Sequence, residues 1–185
     1  MTLPMKEQSY TYADYCTWDD DRRRELIDGV IYAMSPAPSR THQRILFELS
    51  RQFGNFLKGK PCEAFHAPFD VRLNGLGDDD DAIVQPDLVV VCDQSKLDEK
   101  GCNGAPDMVV EILSPSTASR DKVLKFNAYQ RAGVREYWIV DPESKTLSAH
   151  MLTDSGYMTR TYGETESAPA HILEGCEISL PDVFE

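Results

Sequence analysis

The chain has 185 residues, 41% of them hydrophobic and 27% charged, which suits one domain (1–185) with a proper core and excludes wholesale disorder. Nineteen Lys and Arg against 31 Asp and Glu give a net charge of −12, which argues against a broad basic nucleic-acid surface. It does not exclude a protein that meets phosphates with metal ions and a local basic strip.

No apolar run approaches the roughly 18–20 residues of a membrane span. The start, MTLPMKEQSY, lacks the basic and then apolar sections of a signal peptide, so a cytoplasmic protein is expected. Cys16, Cys62, Cys92, Cys102 and Cys176 are scattered and odd in number, with no C-x-x-C pair; reduced thiols and no zinc site are expected.

In chain order, Thr11 is a plausible N-cap for a short helix through about Trp18. The run RELIDGVIYAM reads as two strands around a tight Asp28-Gly29 turn, a strong short hairpin signal. After SPAPSR, the spacing of Ile45, Leu46, Leu49, Phe53 and Phe56 predicts an amphipathic helix over about 41–57. CEAFHA and FDVRL read as strands leading to the acidic loop of Asp78, Asp79, Asp80 and Asp81, expected to be solvated. PDLVVVC and DMVVEIL are β-branched and almost wholly apolar, as central strands covered on both faces would be.

SPSTASRD ends the second of these and starts a helix from about Ser119 to Arg131, stopped by Gly133. REYWIVD and TLSAHML are further strands, and the tail supplies an edge strand around Tyr157 to Tyr162 and a closing segment. This order predicts a mixed α/β (α+β) fold, a sheet flanked by helices.

Two carboxylates sit in unusual places. Asp87 opens the strand DLVVVC and Glu111 interrupts MVVEIL. A carboxylate in a buried strand is costly unless paired, protonated or bound to a metal. If the two strands are neighbours, both acids converge, and a hard cation such as Mg²⁺ accepts such a pair together with waters and phosphate oxygens. The plainer reading is that Asp87 caps a turn and Glu111 pairs with a buried Arg or Lys.

In SRDKVLKFNAYQRAG, Asp121, Lys125 and Tyr129 recur on one helical face. An ammonium aimed at the acids could orient a water or neutralise developing charge; an exposed Asp–Lys pair is the alternative. Lys122 competes for this role, but points about 60° round the helix.

The segments ELIDGVIYAMSPAPSRTH, QPDLVVV, PDMVVEILSPST and RDKVLKFNAYQRAGVREYWIVDP resemble successive signatures of the Uma-type "putative restriction endonuclease" family, from about Glu25 to Pro142. That family resembles the PD-(D/E)xK nucleases, so the resemblance implies a restriction-endonuclease-like mixed sheet, a Mg²⁺ or Mn²⁺ cofactor and DNA as substrate. It places the metal ligands on Asp87 and Glu111. The superfamily's lysine position is Leu113 here, and the resemblance moves the lysine to Lys125.

Glu25 matches a further family acid, with an arginine salt bridge as its alternative role. His42, in P-S-x-x-H, is expected to contact phosphate or water or to make a structural hydrogen bond. Gln85 is a candidate for a metal-bound water or a backbone group, while Tyr129 and Tyr137 read mainly as packing residues. Ser114 to Thr117 shows no general base and reads as a strand end. The functional expectation is a Mg²⁺-dependent endonuclease, possible as a homodimer; an inactive nuclease-fold module is the rival.

Overall fold

The computed structural model describes residues 9–20, 22–34, 37–115 and 118–185. The signal-peptide reading of the first residues, and Ser116 and Thr117 of the SPST run, fall outside them.

Thr11 starts α1 (Tyr12–Tyr15), its N–H donating to Asp14 Oδ2 at 2.9 Å. The helix closes after one turn, short of Trp18, as the Thr17 hydroxyl donates to the Asp14 carbonyl at 2.6 Å. β1 (Arg24–Ile27) and β2 (Val30–Ala33) form the expected hairpin. Asp28 and Gly29 take φ of 53° and 72°, the double left-handed turn that matches strand twist. Ser39 caps α2 (Arg40–Leu57), accepting from the His42 N–H at 3.2 Å. Of the predicted stripe, Ile45, Leu46, Leu49 and Phe53 are buried and Phe56 is half-buried against them.

Beyond it come β3 (Glu63–His66), β4 (Val71–Arg72), β5 (Ile83–Val84), β6 (Leu88–Val91), β7 (Leu97–Asp98), β8 (Gly101–Asn103) and β9 (Met108–Ile112). A wide π-type segment, Arg120–Lys125, leads into α3 (Phe126–Ala132), which ends on Gly133 at φ 86°. β10 (Glu136–Asp141), β11 (Thr146–Thr153), β12 (Gly156–Gly163), β13 (Ser167–Pro169), β14 (Glu177–Ser179) and α4 (Leu180–Phe184) complete the order.

The central sheet runs β12-β11-β10-β9-β6-β3 and is mixed: β9 and β10 are parallel across the α3 crossover, and its other pairs are antiparallel. Side chains alternate across it. Leu88, Val90, Val110 and Ile112 pack against α2 and the C-terminal segment. Val89, Val91 and Val109 face Ala128 and Tyr129 of α3 together with Val71 and Val84 of a second sheet. That second sheet, β2-β1-β5-β4-β8-β7, is built partly from two-residue strands that carry no period of their own.

Two expectations are corrected. Cys62 and Cys92 are joined in a disulfide rather than left as thiols, because the Glu63↔Val91 register of β3 and β6 continues to set them opposite, with Cα atoms 4.0 Å apart. The acidic loop is not wholly solvated: Asp80 is buried and accepts backbone N–H groups of Asn74, Leu76 and Ala82 at 2.9, 3.2 and 3.0 Å. Its carboxylate replaces the hydrogen bonds that a tight loop cannot make internally. No helix among the described residues is long and apolar enough to cross a membrane.

Candidate active site

β6 and β9 are antiparallel neighbours with Leu88 opposite Val110. One further step of that register sets Asp87 opposite Glu111, as adjacent strands would require. The Ile112 N–H donates to Asp87 Oδ2 at 2.8 Å, which ties the acid at the start of β6 to the backbone of β9. Glu111 shares the α3-facing side of β9 with Val109 and is 4% exposed.

The π-type segment brings the cation. Lys125, also 4% exposed, lies 2.8 Å from Glu111 Oε1, 2.8 Å from Glu25 Oε1 and 3.7 Å from Asp121 Oδ1. A wide helical turn keeps residues four or five apart on one face, and such turns recur at functional sites. Lys122 is exposed at the cavity rim, so Lys125 is the lysine inside the acid cluster. One turn on, the Tyr129 hydroxyl donates to Glu111 Oε1 at 2.8 Å. Tyr137 donates to the Asp121 carbonyl at 3.0 Å.

Glu25 comes from β1 in the second sheet, 1% exposed, and accepts the Gln85 N–H at 3.0 Å. The Gln85 amide is itself spanned between side chains. Its Oε1 accepts from Arg23 Nε and Nη2 at 3.0 and 2.7 Å, and its Nε2 donates to Asp70 Oδ1 at 2.7 Å and to the Tyr15 hydroxyl at 3.2 Å. His42 reaches in from α2, with Nε2 3.1 Å from Asp87 Oδ2. Its Nδ1 is buried and meets no hydrogen-bond partner among the described residues.

All of the sequence-selected residues except Tyr129 and Tyr137 line one cavity of about 720 Å³. Arg23 also lines it, while Asp70 and Tyr15 sit behind. Sequence reasoning passes over these three, because they meet Gln85 from positions 62, 15 and 70 residues away with no local pattern to mark them.

The electrostatics follow from burial. Desolvation alone would lower Lys125, but the carboxyls of Glu111, Glu25 and Asp121 outweigh it and hold the ammonium well above its ordinary range. Glu111 is pushed well above an ordinary glutamate, first by burial, with Asp121, Asp87 and Glu25 adding to it and Lys125 opposing. One ammonium is thus shared among several acids. Among the described residues, each of Asp87 and Glu111 is held through a single oxygen, Oδ2 and Oε1.

A mixed sheet carrying paired acids at the meeting of two central strands, with a lysine from the crossover helix, defines a restriction-endonuclease-like α+β protein. The crystal structure of a "putative nuclease" from Anabaena variabilis has this fold, with a TM-score of 0.75 at 21% identity, covering 94% of this chain and 97% of that one. The family model for Uma2, "Putative restriction endonuclease", matches residues 11–181, and the chain belongs to that family. Two uncharacterised proteins of Synechocystis sp. are similar, one 30% identical over 146 residues (77% of this chain, 74% of that protein) and the other 28% identical over 136 (71% and 74%).

Proposed function

We propose that the protein is an endonuclease that hydrolyses DNA phosphodiester bonds with a divalent cation, Mg²⁺ or Mn²⁺. The observation that carries this reading is Asp87 opposite Glu111 on β6 and β9, with Lys125 2.8 Å from Glu111 at the base of the cavity. The names of the family and of the structural neighbour point the same way.

The donor set fits a hard cation. Asp87 and Glu111 each keep one oxygen outside the hydrogen bonds that fix the other, and oxygen is the ligand that Mg²⁺ prefers. No group of three or more His, Cys, Asp or Glu is gathered for a metal among the described residues, so the protein would supply two carboxylates and leave other positions to water and phosphate. When bound, the cation offsets charge on the phosphate and lowers the pKa of a water.

The protein's own groups do the rest. Lys125 has three protons; Glu111 takes one at 2.8 Å, and Glu25 at 2.8 Å and Asp121 at 3.7 Å are charge contacts, which leaves the ammonium a proton for a water or a phosphate oxygen. Glu25 thereby aims the ammonium, and the Tyr129 hydroxyl fixes the Glu111 carboxyl.

Incubation of supercoiled plasmid with Mg²⁺ or Mn²⁺ is expected to give nicked and linear products, reduced to background by Asp87→Ala. No cleavage and no cation binding across Mg²⁺, Mn²⁺ and Ca²⁺ would sink the reading. A second reading, a nuclease-fold module without catalysis, is favoured by the charge of −12. Calorimetric titration with Mn²⁺ separates the two, since the module predicts no binding.

A further inference from the structure

We propose that His42 is a positioning residue for Asp87, fixing which carboxylate oxygen is offered to the cation. The inference rests on the metal-dependent reading above. His42 stands on the first turn of α2, 8% exposed at the cavity wall, on an element whose other buried residues are apolar. Its Nε2 lies 3.1 Å from Asp87 Oδ2, and the same oxygen accepts the Ile112 N–H at 2.8 Å. A carboxylate oxygen only accepts, so the imidazole carries its proton on Nε2.

Two donors from different elements therefore converge on one oxygen of Asp87. They hold the carboxyl against rotation and occupy Oδ2, which leaves Oδ1 as the oxygen that a cation would meet. The rest of the ring supports this assignment. A histidine retained for structure normally satisfies both nitrogens when buried. Here Nδ1 meets no hydrogen-bond partner among the described residues, where the ring's one hydrogen bond is to Asp87. The helix cap does not need the ring either, because Ser39 Oγ accepts from the His42 backbone N–H.

The test compares Mn²⁺ affinity by calorimetry in the wild type, His42→Gln and His42→Asn, with thermal unfolding of each in chelator. The Gln amide nitrogen can take the place of Nε2, whereas the Asn amide ends too short to reach Asp87. Outer partners of metal ligands typically set affinity by 10–100-fold, so His42→Asn is expected to weaken Mn²⁺ binding by about that factor and His42→Gln to restore most of it. Both variants are expected to unfold within a few degrees of one another. Equal affinity in the wild type and His42→Asn overturns the proposal, as does equal weakening in both variants, which would mark a packing role. A wild type that binds no Mn²⁺ overturns the metal reading and this inference together, a result distinct from a wild type that binds and variants that match it.

Discussion

Lys125 is the residue on which the site's charge turns. Its ammonium is buried among Glu111, Glu25 and Asp121, and removing one member of a buried ion pair typically costs about 3–5 kcal/mol because the partners lose their compensation. Lys125→Met is expected to be destabilised by that order at pH 8, measured by denaturant unfolding. The loss should depend on pH with a definite sign. Glu111 already sits above an ordinary glutamate, chiefly through burial, and Lys125 is what opposes this. A carboxyl raised in the folded state contributes stability that is full below its unfolded value and falls as pH rises through the folded one. The variant should therefore approach the wild type near pH 4–5 and diverge from it as pH increases. In the wild type, Lys125 is itself raised, so its own contribution is kept at neutral pH and lost only above its ordinary range near pH 10.5. A penalty in Lys125→Met that stays constant from pH 5 to pH 8 would contradict this account.

At the scale of elements, the sequence shows what is periodic and hides what is held from afar. The helix α2 and the strands β6, β9 and β10 are legible because their apolar spacing is written in consecutive residues. Glu111 is legible for the opposite reason, a charge breaking such a run. In the second sheet the β1–β2 hairpin and the FDVRL strand are legible, but β5 has two residues and depends on partners distant in sequence, so it leaves almost no local trace. The pairing of Cys62 with Cys92 is equally silent, since it follows from the register of β3 on β6. The π-type widening before α3 has no signature in SRDKVLK, yet it helps set Asp121 and Lys125 on the acids. One junction of the second sheet can be tested directly. Gly101 opens β8 at φ +125°, where a Cβ would stand 2.1 Å from the Asp70 carbonyl oxygen, and that oxygen accepts the Cys102 N–H at 2.9 Å. Gly101→Ala therefore meets both backbone strain, about 1–3 kcal/mol, and a clash that must displace the chain carrying Asp70. A destabilisation of at least ~2 kcal/mol in urea is expected, while a variant as stable as the wild type would show that β8 is not seated against Asp70.

At the scale of the molecule, a net charge of −12 and a cavity centred on clustered acids act together. The folded chain gathers carboxyls that repel one another when it is unliganded, and a cation that binds only the folded state stabilises it by mass action. At a hundred times its dissociation constant the gain is about 2.7 kcal/mol. For a chain of this size that corresponds to roughly 5–10 °C in unfolding temperature. Salt alone also screens an acidic protein, within about 8 Å at 0.15 M ionic strength, and would raise the unfolding temperature without any site. The comparison is therefore made at constant ionic strength, with Mn²⁺ exchanged against a monovalent salt. The wild type is expected to show the full rise, whereas Asp87→Asn and Glu111→Gln, which each remove one carboxylate, should show little of it. Chelator should return the wild type to its starting value. A rise shared equally by all three proteins would assign the effect to general screening of the acidic surface, and would separate the stability of this fold from any cation held between β6 and β9.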